Sequence, residues 1–200
     1  MKVWKLDGDY SGRLCFDVGD GQQNKQCLYN FHDKKYVNDW PGLKVTFTCG
    51  KKRRDILPLK NVTSFSSFGS LFICDEYAKE KISEKYNCIQ FLPVEPIEKD
   101  INETTSYYIP NVLTTAKALD EEKTKFKYIS DKYVYGIDKY YFVDAVKETP
   151  VFYLNACDYT FSTIYATDEF KDYVESCGIT GFIFKEVFDF DDPDKKYPLM

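Results

Sequence analysis

The sequence has few of the residues on which catalytic sites commonly depend. It contains one histidine, His32, and two methionines among 200 residues. A Ser/His or Cys/His nucleophilic site would have to use that histidine. It lies in the polar stretch "YNFHDKKY", where we predict a turn. The GxSxG, HExxH and phosphate-loop motifs do not occur, and two methionines are too few for an adaptable Met-rich groove.

Closely spaced cysteines are also lacking. The seven cysteines are odd in number and widely separated, and no two form a CxxC pair. One histidine cannot complete a Cys/His zinc site of the usual spacing. We therefore predict reduced thiols and no metal or cofactor site.

Long apolar runs and clustered positive charge are absent as well. The first residues, "MKVWKLDGDY", contain no apolar signal-peptide core, and no apolar run approaches the roughly 20 residues that span a bilayer. The net charge is −5, and the one basic run, residues 50–55, is short and ends on an acid. These features predict a cytoplasmic protein that binds neither membrane nor nucleic acid.

Aromatic residues, in contrast, are abundant, with 17 Tyr and 16 Phe. A chain of this length buries roughly 70% of the surface that it exposes when unfolded, so the core is expected to be aromatic. We predict one domain over residues 1–200, with two lobes, 1–98 and 99–200, as the alternative.

The first third of the chain is rich in short β-strand patterns, namely "KVWKL", "GRLCFDV" and "LKVTFTC". Further strands are predicted in "TPVFYLNACDYTFSTIYAT". In "SDKYVYGIDKYYFVD" we predict a strand, a turn at Gly136 and a second strand.

Two segments of the sequence resemble each other at a constant offset of 93 residues. Asp75-Glu76 aligns with Asp168-Glu169 (168 − 75 = 93), and Phe91 aligns with Phe184. Each segment has an apolar run, an acidic pair, an amphipathic helix pattern and a second apolar run. We therefore predict an α+β protein with mixed or antiparallel sheets, two duplicated strand-helix-strand units and few short helices.

Capping residues predict the ends of both helices. Thr167 is a favourable N-cap and Gly178 a favourable left-handed C-cap of the second helix. Asn87 takes the C-cap position of the first helix. After the second helix, Phe182, Phe184, Phe188 and Phe190 alternate onto one strand face, which only Glu186 interrupts.

The two acidic pairs have two interpretations. They could form a paired-carboxylate site, one pair from each segment, as in a hydrolase. Alternatively, carboxylates in the first turn of a helix are stabilised by the positive end of the helix. We interpret both pairs as helix starts.

The sequence ends in "DFDDPDKKYPLM", which contains Asp189, Asp191, Asp192 and Asp194. One interpretation is a frayed, solvated tail. The other is an acidic surface that pairs with a basic partner and steers its association.

The repeated unit also carries a resemblance to a known family. The segments 71–94, "LFICDEYAKEKISEKYNCIQFLPV", and 107–126, "YYIPNVLTTAKALDEEKTKF", are followed by 164–184, "IYATDEFKDYVESCGITGFIF". Together they resemble the eleventh immunity group of bacterial polymorphic-toxin systems, formerly a domain of unknown function. The resemblance covers roughly residues 55–184. Cys74 departs from it, standing at the helix start where the family tends to have Ser or Thr.

The resemblance implies a non-catalytic cytoplasmic protein that binds and neutralises a cognate toxin. The acidic balance suits a basic toxin, so Asp189, Asp191, Asp192 and Asp194 become candidate contacts. Tyr140 and Tyr141 are further candidates, because Tyr is enriched at interface hot spots. The alternatives are a carboxylate-dependent hydrolase and a structural adaptor.

Overall fold

The computed structural model describes residues 1–9, 14–18, 34–49, 65–68, 71–97, 106–130 and 133–197. The predictions for His32 and for the basic run 50–55 lie outside these residues. Thirteen strands, two α-helices and one short 3₁₀ helix are present in the described ranges. They are β1 (Lys2–Gly8), β2 (Leu14–Val18), β3 (Lys44–Cys49), β4 (Phe65–Phe68), β5 (Leu71–Asp75), α1 (Glu76–Lys85), β6 (Ile89–Pro96), β7 (Tyr107–Val112), β8 (Thr115–Ala116), β9 (Lys125–Ser130), β10 (Tyr133–Lys139), the 3₁₀ helix (Asp144–Glu148), β11 (Val151–Ala156), β12 (Tyr159–Thr167), α2 (Asp168–Ser176) and β13 (Phe182–Asp189).

The strands form three sheets with both parallel and antiparallel pairs. The orders are β13-β1-β12-β11-β8, β10-β9 and β2-β3-β6-β7-β5-β4. Strand β8 pairs with β11 and β3 with β6 in parallel, whereas β11–β12 and β6–β7 are antiparallel. The predicted α+β class with mixed sheets is therefore confirmed.

The chain forms two compact units. One comprises Met1–Leu6, Thr114–Tyr173 and Phe184–Met200, and the other Asp7–Leu113 and Val174–Ile183. The chain passes between the units several times. The sequence predicted one domain over residues 1–200, with lobes 1–98 and 99–200 as the alternative, and both stay predictions.

The first unit has an aromatic core. Phe142 lies 6.3 Å from Phe152 and 5.6 Å from Phe188, measured between ring centroids. Phe152 stacks on Tyr165 at 5.9 Å. Such ring pairs add stabilisation beyond the area that they bury, so the abundance of Phe and Tyr serves the interior of this unit.

In the second unit, the six-stranded sheet and helix α1 contribute buried apolar side chains among the described residues. Leu43, Val45, Ile73, Leu92 and Ile109 are buried there. Strand β7 pairs with both β5 and β6, and Ala78 and Ile82 form the buried side of α1.

Both repeated segments fold as strand-helix-strand, and in both a further strand separates the two strands. Strand β7 is antiparallel to β5 and to β6. Strand β1 is antiparallel to β12, and it lies between β12 and β13. The hydrogen bonds from Phe190 N–H to the Met1 carbonyl (2.9 Å) and from Asp9 N–H to the Gly181 carbonyl (3.1 Å) make β1 antiparallel to β13 too. Common topology does not establish duplication, which stays a hypothesis.

The C-terminal cap of α2 forms as predicted. Gly178 has φ +69. Its N–H donates to the Glu175 carbonyl at 3.0 Å, and the Ile179 N–H donates to the Val174 carbonyl at 3.1 Å. These two bonds form a Schellman motif.

The two other capping predictions, Thr167 and Asn87, are wrong, and the N-cap of α1 is one residue beyond Cys74. The Thr167 hydroxyl is buried without a hydrogen-bond partner among the described residues, so it does not cap α2. Asp75, not Cys74, is the N-cap of α1, because its carboxylate accepts the Ala78 N–H at 2.8 Å. Asn87 does not adopt a positive φ, and α1 instead ends on Tyr86, which is extended and donates its N–H to the Ile82 carbonyl.

Candidate functional site

Of the four predicted acidic contact residues, Asp189 ends β13, and Asp191, Asp192 and Asp194 lie in the turn that follows it. We call residues 189–194 the C-terminal turn. Asp191 N–H donates to the Asp189 carboxylate at 3.0 Å, and Asp192 N–H donates to the Asp189 carbonyl at 3.2 Å. These hydrogen bonds give residues 189–192 a defined turn, whereas the end of the predicted tail, residues 198–200, lies outside the described residues.

Two carboxylates of the turn are exposed yet paired with positive groups. The side chain of Asp191 is 84% exposed and lies 2.8 Å from the ammonium of Met1. Asp194 is 85% exposed and lies 2.9 Å from Lys139 Nζ. Hydrogen bonds from Lys139 and Tyr141 lower the pKa of Asp194, and the bond from the terminal ammonium lowers that of Asp191.

The two candidate tyrosines have different environments. Tyr141 donates its hydroxyl to Asp194 at 2.8 Å, so the structure brings this tyrosine and the C-terminal turn together. Tyr140 is only 7% exposed. Its hydroxyl lies 3.1 Å from that of Tyr165, and burial raises its pKa. In this conformation Tyr140 has almost no side-chain surface to offer a partner.

The first acidic pair stabilises the start of α1. Besides the cap by Asp75, Glu76 accepts hydrogen bonds from Lys79 at 2.6 Å and from the Tyr108 hydroxyl at 2.5 Å. These bonds lower the pKa of Glu76. Burial raises the pKa of Asp75 despite the bond from Ala78. Both side chains thus make contacts typical of a structural role.

The second acidic pair has a different structural role. Asp168 accepts the Lys2 N–H and the indole N–H of Trp4, both at 2.7 Å. It is the first residue of α2, and its carboxylate also fixes β1 beside the helix start. Glu169 is exposed. The prediction of a helix start is confirmed for Asp168, although its hydrogen bonds to a neighbouring strand were not foreseen.

Sequence reasoning missed a group of exposed apolar side chains on β9 and β10. We call these two strands the aromatic ribbon. Tyr128, Ile129, Tyr133 and Tyr135 are 53%, 77%, 71% and 60% exposed. The predicted turn at Gly136 is wrong, because Gly136 lies inside β10 and pairs with Lys127. The signal in the sequence was "YVYGI", an uninterrupted strand pattern once Gly136 is accepted as a strand residue.

The described residues lack two further features of functional sites. The part of the chain that the structure describes contains no group of three or more His, Cys, Asp or Glu side chains positioned to hold a metal ion. Among the same residues, no helix has the length and apolar character needed to cross a membrane.

Comparison with models of protein families shows which family the chain belongs to. The model of the Immunity protein family (Imm11) matches residues 15–189. The chain belongs to the Imm11 family. A comparison with curated proteins gives no match.

The Imm11 match is wider than the resemblance in the sequence suggested. It begins at Cys15 rather than near Asp55, and it includes both strand-helix-strand segments and the aromatic ribbon. It ends at Asp189. In this Imm11 chain, Asp191, Asp192 and Asp194 therefore lie beyond the matched segment.

Proposed function

We propose that the chain is an immunity protein that binds the toxin domain of a cognate bacterial toxin and neutralises it without chemistry of its own. The observation that carries this proposal is the Imm11 match over residues 15–189, which is 175 of the 200 residues. A protein of this kind acts by forming a specific complex, so its surface rather than a catalytic cleft determines its function.

The acidic pairs also support a binding function over the hydrolase alternative. The hydrolase required the carboxylates of Asp75, Glu76, Asp168 and Glu169 as its catalytic groups. Three of them make the hydrogen bonds that stabilise α1, or that attach β1 to the start of α2. No contact of the described residues favours hydrolysis.

The proposal extends to the partner and the compartment. We propose a cytoplasmic site of action and a basic toxin domain as the partner, with neither membrane nor nucleic acid as a ligand. The net charge of −5 and the exposed carboxylates of Asp191 and Asp194 support this, because complementary charge accelerates encounter. The proposed contacts are Asp189, Asp191, Asp192, Asp194 and Tyr141. Tyr140 is a buried core residue and is not proposed as a contact.

Co-expression tests the proposal. The gene beside that of this chain is expected to encode a large secreted toxin, whose C-terminal domain is induced in cells with and without the chain. We expect growth only when the chain is present. If cells that contain the folded chain die as fast as cells that lack it, the proposal is wrong. An adaptor, by contrast, would bind a partner without protecting the cells.

A further inference from the structure

The aromatic ribbon exposes apolar side chains to an unusual extent. Four of the eight large hydrophobic residues that are exposed in the described parts of the chain lie on its two strands, namely Tyr128, Ile129, Tyr133 and Tyr135. Scattered apolar side chains are common on protein surfaces, whereas a contiguous patch marks an interaction site. The four residues lie on two paired strands and are therefore close in space. Tyr128 pairs with Val134, whose side chain packs against the core, so the candidate patch consists of Ile129, Tyr133 and Tyr135.

The pairing of the ribbon explains how these side chains come to face solvent. The paired residues are Tyr133–Ser130, Val134–Tyr128, Gly136–Lys127, Ile137–Phe126 and Lys139–Lys125. This register leaves Ile129, Tyr135 and Asp138 as extra residues in three β-bulges. All three are exposed. Bulges redirect side chains and are over-represented near functional sites.

The other side of the ribbon is fixed in place. Phe126, Val134 and Ile137 pack against the aromatic core of the same unit. At the base of the ribbon, Lys139 and Tyr141 both contact Asp194. The exposed face is therefore presented by an anchored support, which lowers the entropic cost of binding.

The bulges also determine how a partner can dock. A strand added to a sheet edge needs a regular row of backbone N–H and C=O groups. Two bulges in β10 and one in β9 disrupt such rows, as do the bulges that protect natural sheet edges. Recognition must therefore use the side chains, with Ile129 and Tyr135 as anchors.

The charges beside the patch indicate the chemistry of the partner. Two of the three ribbon lysines are paired within the chain, Lys127 with Asp138 at 3.1 Å and Lys139 with Asp194 at 2.9 Å, whereas Lys125 is exposed. Asp194 remains 85% exposed, and the chain as a whole is acidic. A partner with Lys or Arg beside an apolar recess complements this arrangement.

We propose that the exposed face of the aromatic ribbon is the docking surface for the toxin domain, inserting Ile129 and Tyr135 into an apolar recess bordered by Lys or Arg. This inference rests on the proposed function, because the toxin domain is its occupant. It adds a second contact region to the C-terminal turn and Tyr141, which are proposed above as contacts. The Imm11 match contains the whole ribbon but ends at Asp189.

The experiment measures the Kd for a catalytically inactive form of the neighbouring gene's toxin domain. The ribbon variant is Ile129→Ser/Tyr135→Ser. The matched control is Val37→Ser/Ile97→Ser, because Val37 is as exposed as Ile129, at 77%, and Ile97 is 51% exposed. Since hot-spot truncations dominate binding, we expect the ribbon variant to bind at least about 30-fold more weakly. The control should change the Kd less than about twofold, with unchanged Tm in both variants.

A second ribbon variant, Tyr133→Ser, is measured in case the double variant does not fold. It too should bind the toxin domain more weakly than the wild type. Charge reversal by Asp194→Lys should weaken binding by about tenfold if cations border the recess. If both ribbon variants fold and bind as tightly as the wild type, the inference is wrong, while the proposed function stands.

Two further outcomes would overturn the inference. If the wild-type chain neither binds nor protects, the proposed function fails and this inference fails with it. If sedimentation shows a dimer that Ile129→Ser/Tyr135→Ser dissociates without weakening toxin binding, the ribbon is an interface between two copies of the chain.

Discussion

Glu186 shows how one residue can interrupt an apolar pattern for a structural reason. It lies in β13 among alternating phenylalanines, yet its side chain is only 17% exposed. Its carboxylate accepts hydrogen bonds from Lys2 at 2.7 Å, Lys195 at 2.5 Å and Tyr197 at 3.1 Å. Burial raises its pKa, but these three bonds outweigh burial and leave the pKa lowered. A partly buried carboxylate is tolerated here because its partners satisfy it.

Glu186→Gln removes the charge and keeps the shape of the side chain. We expect the free energy of unfolding to fall by about 1–2 kcal/mol at pH 7, because charge-assisted hydrogen bonds are lost. The folded pKa is lowered, so the stabilisation is present above the ordinary carboxyl pKa of 4.5 and is lost as the pH falls through the folded pKa. Urea unfolding of wild type and variant should therefore give a gap that narrows from pH 7 to pH 4. Glu122→Gln, at an exposed position, is the control, and a gap independent of pH would contradict this account.

The turn between β11 and β12 contains two residues with positive φ. Ala156 pairs with Tyr159, and the intervening Cys157 and Asp158 have φ values of 51 and 58. Two consecutive left-handed residues in a two-residue loop are typical of a type I′ turn, which favours Asn-Gly. The Cys157 N–H donates to Glu121 at 3.0 Å, which helps to hold this conformation.

Cys157→Asn/Asp158→Gly should stabilise the chain by about 1 kcal/mol, because Asn and Gly adopt this conformation with less strain. A higher midpoint of urea unfolding would confirm the expectation. Asp158→Ala is the matched comparison and should lower the midpoint, since Ala tolerates a positive φ less well than Asp does. Equal midpoints for all three proteins would show that the turn is not strained.

At the scale of elements, the ends of α2 separate what the sequence could predict from what it could not. The C-terminal cap depends on Gly178 and on neighbours within four residues, so local sequence was sufficient. The start of α2 depends on Asp168 hydrogen bonds to Lys2 and Trp4, which lie more than 160 residues away. Long-range pairing of this kind has no local signal, and the prediction of Thr167 as the cap failed for that reason.

Gly178→Ala tests the cap. A Cβ at this position would meet no atom within 4 Å, so the substitution probes backbone strain alone. We expect a loss of about 1 kcal/mol in the free energy of unfolding, because Ala disfavours φ +69. Gly178→Asn should lose less, since Asn tolerates the left-handed region. An Asn variant less stable than the Ala variant would contradict the assignment of the cap.

The aromatic ribbon is the element that sequence reasoning described least well. Alternation in "YVYGI" indicates a strand, but a bulge changes which residues face solvent without any change in composition. Tyr135 is exposed because the register between β9 and β10 leaves it as the extra residue of a bulge, and the local sequence carries no signal for that register. The α+β class was predictable because apolar periodicity is local, whereas the placement of β1 between β12 and β13 was not.

At the scale of the whole molecule, the acidic balance has a kinetic consequence. The chain carries a net charge of −5, and complementary charge acts mainly on the association rate. We expect the association rate constant with the toxin domain to fall on the order of tenfold between low and high salt, measured by stopped-flow fluorescence. Asp191→Asn/Asp192→Asn should flatten this dependence. A rate constant independent of salt would mean that charge does not steer the encounter.

The central claim is that this Imm11 chain neutralises a toxin by binding it. Its most direct test is the titration of the purified toxin domain from the neighbouring gene with the purified chain, following residual toxin activity and complex formation together. The account predicts a linear loss of activity that reaches completion at one chain per toxin domain, with a stoichiometric complex at the same point. Toxin activity that persists at saturating chain, or inhibition by far less than one equivalent, as an enzyme would produce, would contradict it.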